Sequence, residues 1–286
     1  MKKIATTLLF AFLLSCQTQS QDLKILFSLP NEMKEVSGLV YQNNEIYALE
    51  DKGNENALYR FDTLGNQLNK LVILETENTD WEDLSADLNG DLYIGNFGNN
   101  DNKRQDLEIY KIANTDLNSS STKPIQVTAF HYQEQTEFPP KKSNLMFDCE
   151  AFVVIDSSFY LFTKNRSKNF DGTFYVYKIP NKNGVFTAEK ITELNSGTAF
   201  KSNAITGAAY DAVSKTIALT THTNAILIPF TNDKSFNQEN LKFVEYHHNS
   251  QKESITFKDK NTIFIADEKE KKNDIGGNVY EFKLLD

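Results

Sequence analysis

Acidic residues recur along this 286-residue chain in one setting, immediately before a short run of small or apolar residues. The pattern is seen at Glu82, Glu150 and Glu253. Carboxylates that a fold brings together repel one another, so either some are protonated or a cation lies among them. Oxygen-only donors of this kind suit Ca²⁺ or Mg²⁺ rather than zinc. The spacing raises the question of whether several repeats build one site.

A self-comparison of the chain places these glutamates in one column of a repeat that occurs five times. The column consists of Ser37, Glu82, Glu150, Thr206 and Glu253. Each column residue is followed by β-branched and aromatic segments separated by turn residues, which is typical of strands. Four units contain four such segments and the last contains three, while the segment 24–29 precedes the first unit. That segment is the predicted fourth strand of the last unit.

These repeats predict an all-β protein, a five-bladed β-propeller in which the N-terminal strand closes the last blade. An alternative with six blades stays open, because the insertion at 112–145 is long enough to hold an irregular blade. No segment shows sustained helical periodicity and no Gly/Ser-rich linker divides the chain. We therefore expect a single domain over residues 23–286.

The predicted topology places the acids at one mouth of the central channel. Consecutive strands of a blade are antiparallel, so the starts of the inner strands and the ends of the second strands lie on the same face of the ring. We expect the acids to converge there, at one mouth of the central channel. The predicted metal ligands are Asp80, Glu82, Asp83, Glu150, Glu253 and Glu268.

The ends of the second strands add further polar groups to this mouth. The residues predicted to bind a ligand are Asp51, Asn96, Lys164, Arg166, Thr221 and Asp267. If the site is catalytic, a metal-bound water would attack, a glutamate would act as base and two cations would hold an anion. The residues predicted for that chemistry are Glu82, Glu150, Lys164, Arg166 and His222.

Structural roles are the alternative for individual members of this set. An acid such as Glu82 could accept hydrogen bonds from backbone N–H groups and so cap a blade. Trp81, the single tryptophan, is expected to pack between blades rather than to stack on a ligand. Buried Cys149 lies between two acids that raise a thiol pKa, so a reactive thiolate is not expected.

The first sixteen residues have the character of an export signal. Lys2 and Lys3 precede an apolar run at 4–14 that is too short to span a bilayer. The ending Leu13-Leu14-Ser15-Cys16 resembles a bacterial lipobox, which implies cleavage before Cys16 and a diacylglycerol on its sulfur. We therefore predict a lipoprotein signal at 1–15 and a lipidated cysteine with a short tether at 16–22.

Charge and cysteine content exclude several classes of protein. Removal of Lys2 and Lys3 with the signal would take the formal net charge from −9 to −11. An acidic chain without a basic cluster is not expected to bind nucleic acid or anionic lipid headgroups. Contact with a lipid bilayer is therefore expected through acylated Cys16 alone. Only one other cysteine is present, so no disulfide framework is expected.

Four segments, 35–39, 80–84, 95–100 and 148–152, resemble the recurring motifs of bacterial secreted propellers. The likeness covers most of residues 23–286. In these motifs the chain is similar to the SdiA-regulated propeller family and, more distantly, to the phytase-like and esterase-like phytase propellers. The phytase-like relatives imply calcium in the axial mouth and hydrolysis of phosphate esters. Glu82, Glu150 and Glu253 match the acidic strand starts of that pattern, whereas Ser37 and Thr206 depart from it.

These observations predict a monomeric lipoprotein of the cell envelope. It would be anchored at the outer membrane, at the periplasmic face or at the cell surface. Its acidic axial pocket would bind a divalent cation, Ca²⁺, and a small polar or anionic ligand. Two alternatives stay open: a metal-dependent hydrolase of a phosphate ester or a lactone, and a scaffold for an envelope protein partner.

Overall fold

The computed structural model describes residues 23–270 and 275–284, and these residues form strands joined by short turns. The first ten strands are β1 (Lys24–Ser28), β2 (Val36–Gln42), β3 (Glu45–Glu50), β4 (Ala57–Asp62), β5 (Gln67–Ile73), β6 (Trp81–Ala86), β7 (Leu92–Asn96), β8 (Leu107–Ile112), β9 (Ser121–Thr122) and β10 (Gln126–Tyr132). The others are β11 (Asp148–Ile155), β12 (Ser158–Lys164), β13 (Thr173–Pro180), β14 (Gly184–Asn195), β15 (Gly207–Asp211), β16 (Thr216–Thr220), β17 (Asn224–Pro229), β18 (Lys242–Glu245), β19 (Lys252–Asp259), β20 (Thr262–Asp267) and β21 (Asn278–Lys283).

Helical structure is confined to single turns in the described residues. They are α1 (Phe200–Asn203) and the 3₁₀ turns Asn114–Asp116, Asp233–Ser235 and Gln238–Asn240. No described helix has the length and apolar character needed to cross a membrane.

The strands are arranged as antiparallel meanders. Hydrogen bonds link them into sheets with the orders β2-β3-β4-β5-β9, β6-β7-β8-β10-β14-β13-β12-β11, β15-β16-β17-β18 and β19-β20-β21-β1. The eight-stranded sheet consists of two meanders whose outermost strands, β10 and β14, pair in parallel between Thr128 and Tyr132. The sequence did not indicate this link. It explains why four sheets appear where five separate units were predicted.

The N-terminal strand closes the ring, as predicted. β1 pairs in antiparallel fashion with β21, so that Lys24 lies opposite Glu281 and Ser28 lies opposite Asn278. Residues near the start of the chain and near its end therefore share one sheet. Backbone hydrogen bonds between β1 and β21, in addition to side-chain packing, therefore close the ring.

The innermost strands surround a central axis. Contacts between them run in a closed circle, from β2 to β6, β11, β15, β19 and back to β2. These strands are almost entirely buried, and all eight residues of β11 are buried. A strand that packs on both faces is expected to be rich in small and apolar residues, as these are. The described architecture is therefore all-β and propeller-like.

Aromatic side chains fill the space between neighbouring sheets. Trp81 is fully buried, and its ring packs edge-on against Tyr110 with centroids 6.4 Å apart. The indole Nε1 donates to the carbonyl of Glu77 at 3.1 Å, which satisfies its one polar group. Trp81 also belongs to one buried cluster with Leu49 and Leu71 of the neighbouring sheet, so it has the packing role between sheets that the sequence predicted.

The insertion at 112–145 belongs to the neighbouring sheets. It supplies β10, the fourth strand of the β6 meander, and β9, which pairs in parallel with β5 through Val72 and Ser121. The described residues of this segment form no separate sheet of their own.

A β-bulge occurs at the repeat column in four of the inner strands. The pairing with the second strand skips one residue in each case, namely Ser37, Glu82, Glu150 and Glu253. In the remaining repeat, the Thr206 N–H donates at 3.0 Å to Thr220, the residue that also lies opposite Gly207. Bulges re-aim side chains near functional sites. In these four inner strands, the column residue is therefore the bulged residue of the strand.

Asp83, the residue after the bulge of β6, connects three inner strands. Its Oδ1 accepts from the Leu84 N–H at 2.8 Å, and its Oδ2 accepts from the N–H groups of Phe152 at 3.0 Å and Ala208 at 3.2 Å. Asp83 is completely buried. This is the capping role left open as an alternative by the sequence, and it uses both oxygens that were predicted to bind a metal.

Hydroxyl groups make similar links between other neighbours in the ring. Ser37 donates to the Trp81 carbonyl at 2.9 Å, and Thr206 donates to the Lys252 carbonyl at 2.8 Å. These two column positions lack a carboxylate because they bridge inner strands instead.

Replacement of Asp83 by alanine should destabilise the fold strongly. The N–H groups of Phe152 and Ala208 would lose their acceptor in a buried place, at about 1–3 kcal/mol for each group. Urea unfolding of the purified protein should show a loss of about 2–5 kcal/mol. Asp101→Ala, at an exposed surface ion pair, should change the free energy of unfolding by no more than about 0.5 kcal/mol. Equal effects of the two substitutions would contradict the bridging role of Asp83.

Candidate functional site

The acids of the repeat column and the ends of the second strands meet at one end of the axis, which we call the acid mouth. Its charges act on one another across the ring. The carboxylate of Glu253, from the last repeat, helps to raise the pKa values of Asp51 and Glu268. Residues that lie far apart in sequence therefore act on one another electrostatically at this end of the axis.

The most tightly connected part of the acid mouth is an ionic network between β11 and the end of β12. Lys164 Nζ lies 3.0 Å from Glu150 Oε2, and Arg166 lies 2.5 Å from both Glu150 Oε1 and Asp148 Oδ2. The Asn99 N–H donates to the second oxygen of Asp148 at 2.6 Å. Arg166 also donates to the side-chain carbonyl of Asn100. These groups neutralise one another inside the protein.

The two carboxyls of this network titrate differently. Burial alone would raise the pKa of Glu150, but Lys164 and Arg166 outweigh it and lower that pKa to about 2. Burial, together with the negative charge of Glu150, raises the pKa of Asp148 to about 7. Glu150 therefore carries the stable negative charge of the pair.

Two further acids have their own basic partners. Asp80 Oδ1 lies 3.0 Å from Lys52 Nζ, whose side chain is about half exposed at 48%. Glu253 Oε1 lies 3.1 Å from His222 Nε2. His222, predicted from the column alone, is thus brought into the acid mouth.

Glu82 is the exception among the acids of the column. It is only 8% exposed, and no hydrogen bond or ion pair joins its carboxyl to another described residue. Burial raises the pKa of Glu82 well above its usual range, and the carboxylates of Glu150 and Asp80 raise it further. Gly98 lies against the carboxyl groups of Glu82 and Asp80, since a Cβ atom added to it would lie 2.5 Å from Asp80 Cγ. Lys164 acts against this rise of the pKa without forming an ion pair with Glu82. Glu82 is thus a buried acid without the hydrogen-bonded or ion-paired partner that such a group normally has.

A second group of acids lies at the rim of the acid mouth. Burial and the charge of Glu35 raise the pKa of Asp51 to about 7. Burial, followed by Glu253 and Asp51, raises the pKa of Glu268 to about 9. The Gln251 amide donates to Glu268 Oε2 at 2.5 Å. Protons, in place of cations, compensate part of the negative charge here.

Three residues predicted to bind a ligand use their polar atoms within the protein. Asn96 accepts from the Asp80 N–H at 3.1 Å. Thr221 Oγ1 accepts from the Asn224 N–H at 3.0 Å within a tight turn. Asp267, which is fully buried, accepts from the Asn278 N–H at 2.9 Å and from the Tyr280 hydroxyl at 2.7 Å. All three support the acid mouth from beneath.

The predicted metal ligands are close together, but basic groups lie between them. Among residues 23–270 and 275–284, no three His, Cys, Asp or Glu side chains are arranged to hold a metal ion. Lys52, Lys164 and Arg166 take up the carboxylate oxygens that a divalent cation would need. A metal site is therefore not already formed by these side chains.

Sequence reasoning missed one charged group beneath the acid mouth. Lys252 is fully buried, and its Nζ donates to the carbonyls of His222 and His248, both at 3.1 Å. Burial lowers the pKa of Lys252 to about 8. The signal was present, because the other repeats have Val36, Trp81, Cys149 or Ile205 at this position. A buried lysine in an apolar column needs polar partners, and here the loops that contain His222 and His248 supply them.

No family model and no curated protein matches the chain. Solved structures with propeller-like folds do match. One is the PQQ-bound aldose sugar dehydrogenase of Streptomyces coelicolor, with a TM-score of 0.53, 9% identity and coverage of 92% of this chain and 98% of that chain.

Two other matching structures are less similar. A chain of a nidogen/laminin complex has a TM-score of 0.47 and 14% identity, and covers 82% of this chain and 73% of that one. A virginiamycin B lyase of Staphylococcus aureus has a TM-score of 0.40 and 14% identity, over 90% and 68%. At this level of identity, the likeness to the dehydrogenase shows a propeller-like fold and does not assign an activity.

Proposed function

We propose that the protein is a propeller-type binding protein whose acid mouth takes a small polar ligand that carries a positive charge. The observation that carries the proposal is Glu82, a buried acid with no hydrogen-bond or ion-pair partner among the described residues. An ammonium group or a metal ion beside Glu82 would supply the missing partner. The raised pKa of Glu82 would then fall, because an adjacent positive charge favours the ionised form.

The balance of charge in the acid mouth favours a cation over an anion. Lys164 and Arg166 are each bound to carboxylates. An anionic ligand would have to displace those carboxylates and leave them buried without partners, which costs several kcal/mol. Of the molecules predicted from the sequence to bind here, the proposal therefore keeps a cation and a polar ligand and leaves out an anionic ligand. The catalytic roles predicted for Glu150, Lys164 and Arg166 are also left out, because these groups neutralise one another.

A calcium ion is one source of the positive charge, and the oxygens around Glu82 suit it. Asp80 lies next to Glu82 and has only the half-exposed Lys52 as its basic partner. Movement of the Lys52 side chain towards solvent would free both carboxylates for one cation. An organic dication would use the same two groups without the need for a complete coordination shell.

Calorimetric titration should detect this binding and distinguish its source. Calcium chloride and putrescine dihydrochloride provide a metal dication and an organic dication of equal charge. We expect saturable binding of one of them, weakened about tenfold or more in Glu82→Gln, because a charge-assisted contact is worth about 1.5–3 kcal/mol. Glu239→Gln, an exposed glutamate in the 3₁₀ turn Gln238–Asn240 after the end of β17, should bind as the wild type does. Binding that Glu82→Gln leaves unchanged, or no binding of either cation, would sink the proposal.

The raised pKa of Asp51 also predicts how stability depends on pH. Between about pH 4 and pH 7 the folded state keeps a proton on Asp51, whose pKa is about 7, while the unfolded state has lost it. Stability falls with pH wherever the folded state binds more protons. The melting temperature should therefore decrease from pH 4.5 to 7.5, and Asp51→Asn should make this decrease smaller. If the melting temperature depends on pH equally in the Asp51→Asn variant and in the wild type, Asp51 does not hold the extra proton in the folded state. Asp156→Asn, at the other end of the axis, is the matched control.

We also propose that the meanders are five blades, with the eight-stranded sheet counted as two. The support is the closed circle formed by the five inner strands and the recurrence of the column residue in each of them. A ring of five leaves a narrow axis, which agrees with the reach of the Asp83 carboxylate to strands of two other repeats.

The lipid anchor and the location in the cell envelope remain proposals that rest on the sequence. Cys16 lies outside the described residues, and β1 begins eight residues later, at Lys24. A lipid on Cys16 would tether the propeller through its outermost strand. We keep the likeness to the SdiA-regulated and phytase-like propellers as a proposal of the same kind.

Metabolic labelling with a radioactive fatty acid should test the anchor. The wild-type chain expressed in a bacterium should incorporate label and sediment with membranes. Cys16→Ser should lose both properties, because the thioether to diacylglycerol cannot form, while Cys149→Ser should keep them. Labelling that persists in Cys16→Ser would contradict the assignment.

A further inference from the structure

A second concave site in the described part of the structure lies away from the acid mouth. It has a volume of about 850 Å³ and lies at the opposite end of the axis, where the inner strands turn into their hairpins. We call it the hairpin mouth. All five inner strands contribute to its wall, through residues 39–42, 84–89, 154–156, 208–213 and 256–257. A volume of this size is typical of small-molecule sites.

Asp83 separates this cavity from the acid mouth. Leu84 and Ala208 line the cavity, and their N–H groups are two of the three that donate to Asp83. The buried carboxylate thus closes the axis between the two ends. A ligand in the hairpin mouth would not touch the residues around Glu82.

Part of the wall of the hairpin mouth is apolar. Leu84, Val154, Ala208 and Phe230 present carbon atoms to it. At the rim, the hairpin residues Leu88 and Val213 are 87% and 83% exposed, so that both side chains are free to cover a ligand. Such a wall can bury the apolar body of a ligand.

One side of the rim is acidic. Asp156, Tyr210 and Asp211 all line the cavity. Burial, and after it the two carboxylates, raise the pKa of Tyr210. Asp211 accepts the Ser214 N–H at 2.8 Å, whereas no hydrogen bond or ion pair joins Asp156 to another described residue. The tyrosine ring adds an aromatic face that attracts cations.

The remaining charged residues of the lining, Asp87 and Lys215, do not make this side of the cavity basic. Asp87, the third carboxylate of the lining, shares Lys111 with Asp91. Lys215 is the one basic residue that lines the cavity.

We propose that the hairpin mouth is a second binding site, for a small amphiphilic cation. The apolar part of the ligand lies against Leu84, Val154 and Phe230, and its ammonium group lies beside Asp156, Tyr210 and Asp211. The acidic side of the rim selects the charge of the ligand, and the size of the cavity limits its apolar part. This site is independent of the function proposed for the acid mouth.

Calorimetry on the purified full chain, with two probes of equal chain length and opposite charge, tests this inference. Decyltrimethylammonium and decanoate are titrated below the concentrations at which they form micelles. We expect one molecule of the cation to bind per chain and the anion to bind more weakly. Equal affinity for the two probes, or no binding of the cation, would overturn the proposal.

Variants then locate the binding. Asp156→Asn should weaken the cation about two- to fivefold, the scale of an exposed charge contact, and leave decanoate unchanged or improved. Asparagine tolerates the positive φ of 53° at this position, so the fold should not be disturbed. Ala212→Trp, at the half-exposed rim, should weaken both probes by obstructing the cavity. Glu82→Gln should change neither, and a loss of cation binding in that variant would place the probe at the acid mouth instead.

Discussion

Three inner strands share one acceptor, the carboxylate of Asp83, and the two ends of the axis depend on this contact. The residues that correspond to Asp83 in the other repeats are small: Gly38, Ala151, Gly207 and Ser254. Larger side chains would not fit, since a Cβ on Gly38 would lie 2.6 Å from the Leu84 nitrogen. The axis is therefore narrow enough for one carboxylate to span it. Burial raises the pKa of Asp83 well above its usual range, and its backbone donors act against that rise.

The bulges in the inner strands explain how the acid mouth is built next to this contact. A regular strand would turn consecutive residues to opposite faces. At the bulge of β6 two consecutive acids, Glu82 and Asp83, both act within the ring: Asp83 bonds the backbone of other inner strands, and Glu82 feels the charge of Glu150. The same local irregularity thus separates a structural acid, Asp83, from one without a hydrogen-bond or ion-pair partner among the described residues, Glu82.

The sequence predicted the fold better than the use of individual polar groups. Strand positions, the closing strand and the convergence of the acids follow from periodicity and antiparallel order, which are local rules. The parallel pair β10–β14 escaped prediction because it joins strands that are edges in their own meanders. The partners of Asp83, Asn96 and Asp267 escaped it because a carboxylate or amide that caps a backbone N–H looks, in sequence, like one that binds a ligand. The hairpin mouth escaped it because its wall consists of ordinary strand ends, without a motif.

The proposed cation site depends on the ionisation of Glu82. The ¹³C shift of its side-chain carboxyl carbon, followed by NMR across pH and assigned with Glu82→Gln, measures that ionisation. The account predicts a pKa well above the usual range for glutamate in the free protein, and a marked fall when the bound cation is added. An ordinary glutamate pKa that does not respond to either cation would contradict it.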